Sequence, residues 1–188
     1  VRESKVYCRI EPPTISIKKI RDMAPEGIIL SGGPAGVYEK NSPRVSPKIF
    51  ELGVPVLGIC YGMHFMVKAL GGTVTATDKR EYGFAELMVK KTGPIFKGVK
   101  KSTICWMSHG DSVGKLPAGF SILGSTENTA RAAIANSKKH FYGLQFHPEV
   151  VHTKEGATMI ANFLFHVCKC QPTWSMKAFA RETIETIR

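Results

Sequence analysis

The stretch Val54-Pro55-Val56-Leu57-Gly58-Ile59-Cys60-Tyr61-Gly62-Met63 decides the fold. From Val54 to Ile59 it is apolar and rich in β-branched side chains, as a buried strand is. Met63, Met66, Val67 and Leu70 then recur at helical spacing until Gly71-Gly72 ends the pattern. Cys60 therefore falls on a strand-to-helix turn. Such a turn crowds the backbone, and Gly58 and Gly62, two residues to either side, allow the close approach. The helix that follows aims its N-terminal amides at the sulfur. A helix N-terminus beside a histidine favours the thiolate, so the pattern reads as a nucleophile elbow.

Outward from this elbow, strand-like and helix-like segments alternate, which is the α/β pattern. Val6 to Ile10 reads as a first strand, Ile15 to Met23 as a short helix, and Gly27 to Leu30 as a strand running into Ser31-Gly32-Gly33-Pro34. Between Thr73 and Phe146 the texture becomes mostly sheet. Its short β-like runs are Glu86 to Val89, Thr103 to Met107, Phe120 to Leu123, Arg131 to Ala135 and Phe141 to Phe146. The last third is helical, with one stripe at Ile160, Phe163, Leu164 and Val167. A second stripe, Met176, Phe179, Thr183, Ile184 and Ile187, follows a break at Gln171-Pro172.

A chain of 188 residues is one domain by length and can bury a real core. No segment has the apolar length of a membrane span, and the first residues carry no secretory hydrophobic region; a cytoplasmic protein with no membrane contact is the expectation. Five cysteines (8, 60, 105, 168 and 170) make an odd count without paired C-x-x-C spacing, so reduced thiols are expected. The formal net charge is +11 and the pI about 9.6, but the basic residues are spread along the chain. Their few clusters abut turn-like stretches and come with no recognition motif, which argues against nucleic-acid binding.

A nucleophile needs a base, and two histidines stand in His-x-acid arrangements: His109-Gly110-Asp111 and His147-Pro148-Glu149. In extended backbone, residues i and i+2 share a face, so either acid can orient its histidine. Two features favour the second. Phe141 to Phe146 reads as a strand that delivers His147 to its C-terminal end, where ligands gather in parallel sheets, and Pro148 holds His147 extended. The turn Ser31-Gly32-Gly33-Pro34 exposes backbone N–H groups suited to an anion or an oxyanion. Neither phosphate-loop pattern fits. No Asp-Ser pair follows Ser31-Gly32-Gly33, and Gly110 to Lys115 is one residue short of a Walker loop and is followed by Leu116.

Taken in order, Ile29-Leu30-Ser31-Gly32-Gly33-Pro34, Asn41-Ser42-Pro43, Gly58-Ile59-Cys60-Tyr61-Gly62-Met63, Arg80-Glu81-Tyr82-Gly83, Ser108-His109-Gly110-Asp111, Gln145-Phe146-His147-Pro148-Glu149-Val150 and Trp174 to Phe179 resemble the class I glutamine amidotransferases. Within that family the resemblance is to the glutaminase domain of GMP synthases, and it spans nearly the whole chain. It implies an open, mostly parallel α/β sheet of flavodoxin-like type, flanked by helices, with a small additional β-sheet. It also implies a Cys60, His147, Glu149 triad and oxyanion donors from the backbone of Gly33 and Tyr61. Substrate contacts would come from His64 and the loop Ser108, His109, Gly110 and Asp111. His64 stands where the family usually has glutamine.

The implied substrate is glutamine. No metal or organic cofactor is implied for the glutaminase step, ATP and Mg2+ belonging to an ATP pyrophosphatase (synthetase) domain or subunit that would be the partner. Residues 1–170 would form the amidotransferase domain, starting after the family's first strand, and 171–188 a connector helix. Two other classes fit the same residues: a stand-alone γ-glutamyl Cys-His hydrolase, and a catalytically weak docking module.

Overall fold

The computed structural model describes residues 1–176, with the side chains of 77–79 left aside. Seven strands form one sheet in the order β1-β2-β7-β6-β5-β3-β4. The strands are β1 (Ile28–Leu30), β2 (Val56–Ile59), β3 (Val74–Val89), β4 (Ser102–Val113), β5 (Ser121–Ser125), β6 (Ala133–Asn136) and β7 (Phe141–Leu144). The helices are α1 (Ile17–Met23), α2 (Tyr61–Ala69) and α3 (Gly156–Asn162), and a π-type turn, Phe163–Val167, extends α3. The α/β class is as expected. Parallel pairing is confined to β1-β2-β7, and β6, β5, β3 and β4 continue the same sheet antiparallel. The additional β structure is thus hydrogen-bonded onto the central sheet through β3 and β5.

Period-two alternation sorts the strand side chains onto two faces. Val56 and Phe141 pack with Ile20 of α1, Phe65 and Met66 of α2, and Ile49 and Phe50 of a short 3-10 turn. Leu57, Ile59, Tyr142 and Leu144 face the other way, onto Met159, Phe163, Val167 and Phe96. The central strands are therefore buried on both faces, and β2, β6 and β7 show no exposed residue. Such strands read as continuous apolar runs, which is why β2 was legible without alternation.

The expected strand at Val6 to Ile10 does not form. This segment follows a 3-10 turn, Arg2–Ser4, and has no strand neighbour. Its backbone finds local partners instead, Val6 N donating to Val1 O at 3.4 Å and the Arg2 guanidinium to Cys8 O at 3.1 Å, and local β propensity is overridden. The runs at Glu86 to Val89 and Thr103 to Met107 belong to much longer strands of 16 and 12 residues, paired from Val74↔Val113 to Met88↔Ser102 across a register shift between Ala76 and Glu81. The helix stripe beyond Met176 lies outside the described residues. Before it, the Trp174 N–H donates to the Lys5 carbonyl at 2.8 Å, and the Arg2 guanidinium lies 5.4 Å from the centre of the Trp174 ring.

Candidate active site

Three adjacent parallel strands deliver the site. In register, Leu30 pairs with Gly58 and Ile59 with Leu144, so β1, β2 and β7 end at one edge of the sheet. Beyond that edge lie the Ser31–Pro34 turn, Cys60 and His147, which is where open α/β sheets hold ligands. Cys60 has φ 48° and ψ −107°, a conformation that costs a residue bearing a Cβ about 1–3 kcal/mol. The surroundings enforce it. The Cys60 N–H donates to Leu144 O at 2.8 Å, while the Cys60 carbonyl accepts from His64 N at 3.1 Å in the first turn of α2.

The glycines have defined neighbours. A Cβ on Gly58 would lie 2.7 Å from Gly62 O and Met63 N, and one on Gly62 would lie 2.0 Å from Leu30 O. These two absences let α2 settle directly on β1 and β2. Gly32 is as tightly placed: its Cβ would sit 2.9 Å from His147 Cε1 and 3.6 Å from Cys60 Cβ. Gly33 has more room, with Tyr61 Cγ nearest at 3.9 Å. The glycine turn therefore lies against both Cys60 and His147, and Gly33 lies beside Tyr61, the other expected oxyanion donor.

His147 Nδ1 and Glu149 Oε1 are 2.7 Å apart, the pairing expected from His-Pro-Glu. The rest of the ring is held through its backbone: His147 N donates to Trp106 O at 3.0 Å and Thr153 Oγ1 donates to His147 O at 2.6 Å. A hydrogen bond to Cys60, first, and then the bond to Glu149 raise the His147 pKa to about 10 against the opposing effect of burial. Burial pushes the Glu149 carboxyl up, but its bond to His147, a backbone hydrogen bond and the imidazolium charge together hold it below the usual range. A sulfur, an imidazole and a carboxylate thus lie together, and the raised pKa keeps the imidazole charged at neutral pH. This is the arrangement a cysteine nucleophile needs: a proton carrier beside it and an orienting acid behind.

The remaining expected site residues lie nearby, but not all face open space. Ser108 O is 3.6 Å from Cys60 Sγ and can accept from the thiol. Asp111 Oδ1 accepts from the Tyr38 hydroxyl at 2.7 Å, which ties the 31–44 loop to the end of β4 and raises the Tyr38 pKa. His109 is buried and has both ring nitrogens engaged: Nδ1 lies 2.8 Å from Asp111 O, and Nε2 lies 3.3 Å from Thr129 Oγ1 and 3.7 Å from Glu81 Oε2. It therefore holds the loop from within the protein. Glu81, also buried, accepts from the Thr126 and Thr129 hydroxyls. His64 is 4% exposed, and its Nε2 lies 2.6 Å from Gln145 Oε1.

Sequence reasoning assigned no role to Gln145, Glu81, Thr126 or Thr129. The first two stood inside quoted motifs, but Thr126 and Thr129 had no local signal. Among the described residues, no group of three or more His, Cys, Asp or Glu side chains is placed to hold a metal ion. Likewise, no described helix is long and apolar enough to cross a membrane. All five cysteines are free thiols.

Comparison with known proteins identifies the family. The family model for glutamine amidotransferase class-I matches residues 1–167. GMP synthase [glutamine-hydrolyzing] of Brachyspira hyodysenteriae is 50% identical over 188 residues, covering 100% of this chain and 37% of that protein. The enzyme of the same name from Caldanaerobacter subterraneus gives the same identity and coverage. The chain thus spans about 37% of the length of these curated relatives. Among solved structures, a provisionally assigned GMP synthase component of Thermoplasma acidophilum superposes with a TM-score of 0.77. It is 27% identical, and the match covers 94% of this chain and 84% of that one. Cys60, His147 and Glu149 gathered at one edge of the sheet, and the family match over nearly the whole length, lead to one conclusion: the chain belongs to the class I glutamine amidotransferases.

Proposed function

We propose that this chain is the glutaminase part of a glutamine-hydrolysing GMP synthase. Residues 1–170 form the amidotransferase domain, and 171–188 lead toward an ATP pyrophosphatase portion. The Cys60 thiolate attacks the carboxamide carbon of glutamine, and the backbone N–H groups of Tyr61 and Gly33 stabilise the oxyanion. Collapse of this intermediate breaks the C–N bond as His147 gives its proton to the departing ammonia, leaving a glutamyl thioester on Cys60. Neutral His147 then takes a proton from water, the hydroxide adds to the thioester carbon, and the C–S bond breaks to release glutamate. Glu149 keeps the imidazole aligned through both halves. The sum is glutamine and water giving glutamate and ammonia.

Ser108, Gly110 and Asp111 line the glutamine pocket through their backbone, with His109 bracing them. His64 lies beneath the pocket on the first turn of α2. Ammonia passes to an XMP activated by ATP and Mg2+ in the synthetase portion, giving GMP. We place the reaction in the cytoplasm, where reducing conditions keep a nucleophilic thiol free. The observation that carries the reading is the gathering of Cys60, the His147–Glu149 pair and the Gly32-Gly33 turn at the end of parallel strands, in a chain 50% identical over its whole length to GMP synthases.

The test is reconstitution. The chain, an ATP pyrophosphatase portion from one of these relatives, XMP and MgATP are expected to yield GMP with glutamine as the only nitrogen source. GMP formation with ammonium but none with glutamine would exclude the assignment.

A further inference from the structure

We propose that Gln145 is a further catalytic residue, whose side-chain amide donates to the Cys60 sulfur, and that His64 is the positioning residue that fixes the direction of that amide. The proposal deepens the amide-cleaving reading given above and rests on it. Gln145 lies just past β7, two residues before His147, and is completely buried. Its backbone is fixed, with Gln145 N donating to Ala132 O at 2.8 Å. Its side chain meets two polar groups among the described residues: Nε2 lies 3.9 Å from Cys60 Sγ, and Oε1 lies 2.6 Å from His64 Nε2.

A carboxamide has one donor end and one acceptor end, so the two contacts are coupled. With the NH2 toward sulfur, Oε1 faces His64, and His64 must then carry its proton on Nε2. The reverse orientation would aim carbonyl lone pairs at a sulfur that becomes an anion during the reaction. His64 suits this task because burial pushes its pKa down, against the bond to Gln145, so the ring is neutral and its one N–H is committed to Gln145. Ser108 O serves the thiol as acceptor, whereas Gln145 Nε2 and His147 are the donors the thiolate requires. A hydrogen bond to an ionised group in a dry site is among the stronger ones, because the alternative is an unsolvated charge.

The experiment measures alkylation of Cys60 by iodoacetamide at pH 7, alongside thermal unfolding and glutamine turnover, in the full chain. Gln145→Met is expected to slow alkylation about tenfold and to lower kcat with KM within about twofold of the starting protein. His64→Met, which removes the orienting donor, is expected to lose about half as much on a logarithmic scale. His64→Gln, which restores an N–H donor, recovers most of that loss. Should Gln145→Met fail to fold, the two His64 variants decide by themselves. Alkylation of folded Gln145→Met at the unaltered rate, or equal impairment of His64→Gln and His64→Met, overturns the proposal. Alkylation requires no glutamine, so absence of glutaminase activity in the starting protein would overturn the assigned function and leave this test standing.

Discussion

Cys60→Ala is expected to lower glutamine hydrolysis by about 10^4-fold or more, with ammonium-dependent amination by a supplied synthetase portion unchanged. The reasoning is chemical. Without the sulfur no thioester forms, and water must attack an unactivated amide aided only by the Gly33 and Tyr61 N–H groups and a histidine that has lost its partner. In well-studied enzymes those oxyanion donors alone leave a small residual acceleration. The same position gives a stability prediction of opposite sign. Cys60 holds φ 48° and ψ −107°, which a Cβ disfavours and a glycine tolerates. Cys60→Gly is therefore expected to melt above Cys60→Ala while being equally inactive. Glutamine assay by released glutamate, with thermal unfolding in parallel, checks both; residual hydrolysis within tenfold of the starting protein would be incompatible with a cysteine mechanism.

Gly62→Ala is the substitution expected to damage the fold most. The new Cβ would lie 2.0 Å from Leu30 O and 2.6 Å from Leu30 C, backbone atoms of β1 that are held in register against β2. Neither side has a rotamer to yield, so α2 and β1 must separate, and the expected loss is about 3 kcal/mol or more. In a chain of this size that lowers the melting temperature by roughly 6–12 °C. Gly33→Ala is the internal comparison: its Cβ meets Tyr61 Cγ at an ordinary 3.9 Å, and less than about 1 kcal/mol is expected. Gly32→Ala separates fold from chemistry, because the atom it crowds is His147 Cε1 at 2.9 Å; activity should fall more than stability. Equal melting temperatures for Gly62→Ala and Gly33→Ala would contradict the packing described.

These glycines also indicate what the sequence discloses. Gly58 and Gly62 mark a close approach whatever the approaching group is, so the elbow was legible from one ten-residue stretch. His147 and Glu149 were legible because a strand-like run, a proline and an i, i+2 spacing are all local. The structure separates this pair from His109 and Asp111 physically: His109 turns inward to Thr129 and Glu81, whereas His147 stands at the end of a parallel strand beside Cys60.

The partners of Gln145, Glu81 and His64 lay beyond the sequence because each contact joins residues 45 to 85 positions apart. No periodicity encodes such a pairing. The length of β3 was hidden for a different reason. Its outer part carries Thr, Glu and Arg among exposed Tyr82 and Phe84, so it shows neither the apolar run of a buried strand nor clean alternation. The expected strand at Val6 to Ile10 is the converse case, a local pattern that pairs with no strand of the described sheet.

The central claim is that the Cys60 sulfur and the His147 imidazole form one proton-sharing pair, backed by Glu149. With a folded pKa of about 10 against an ordinary 6.5, His147 adds stability that is fully present below about pH 6.5 and is lost as pH rises through about 10. Glu149, held low, adds stability that is present above its unfolded value and is lost as pH falls through its folded one. Ring-nitrogen NMR of His147 across pH 5 to 11 reads the pair directly, in the starting protein and in Cys60→Ala. The account predicts an imidazolium that persists beyond pH 8.5 and loses its proton at markedly lower pH once the sulfur is removed, because Cys60 is the largest cause of the shift. A ring that titrates near 6.5 in the starting protein, or one indifferent to Cys60→Ala, would contradict it.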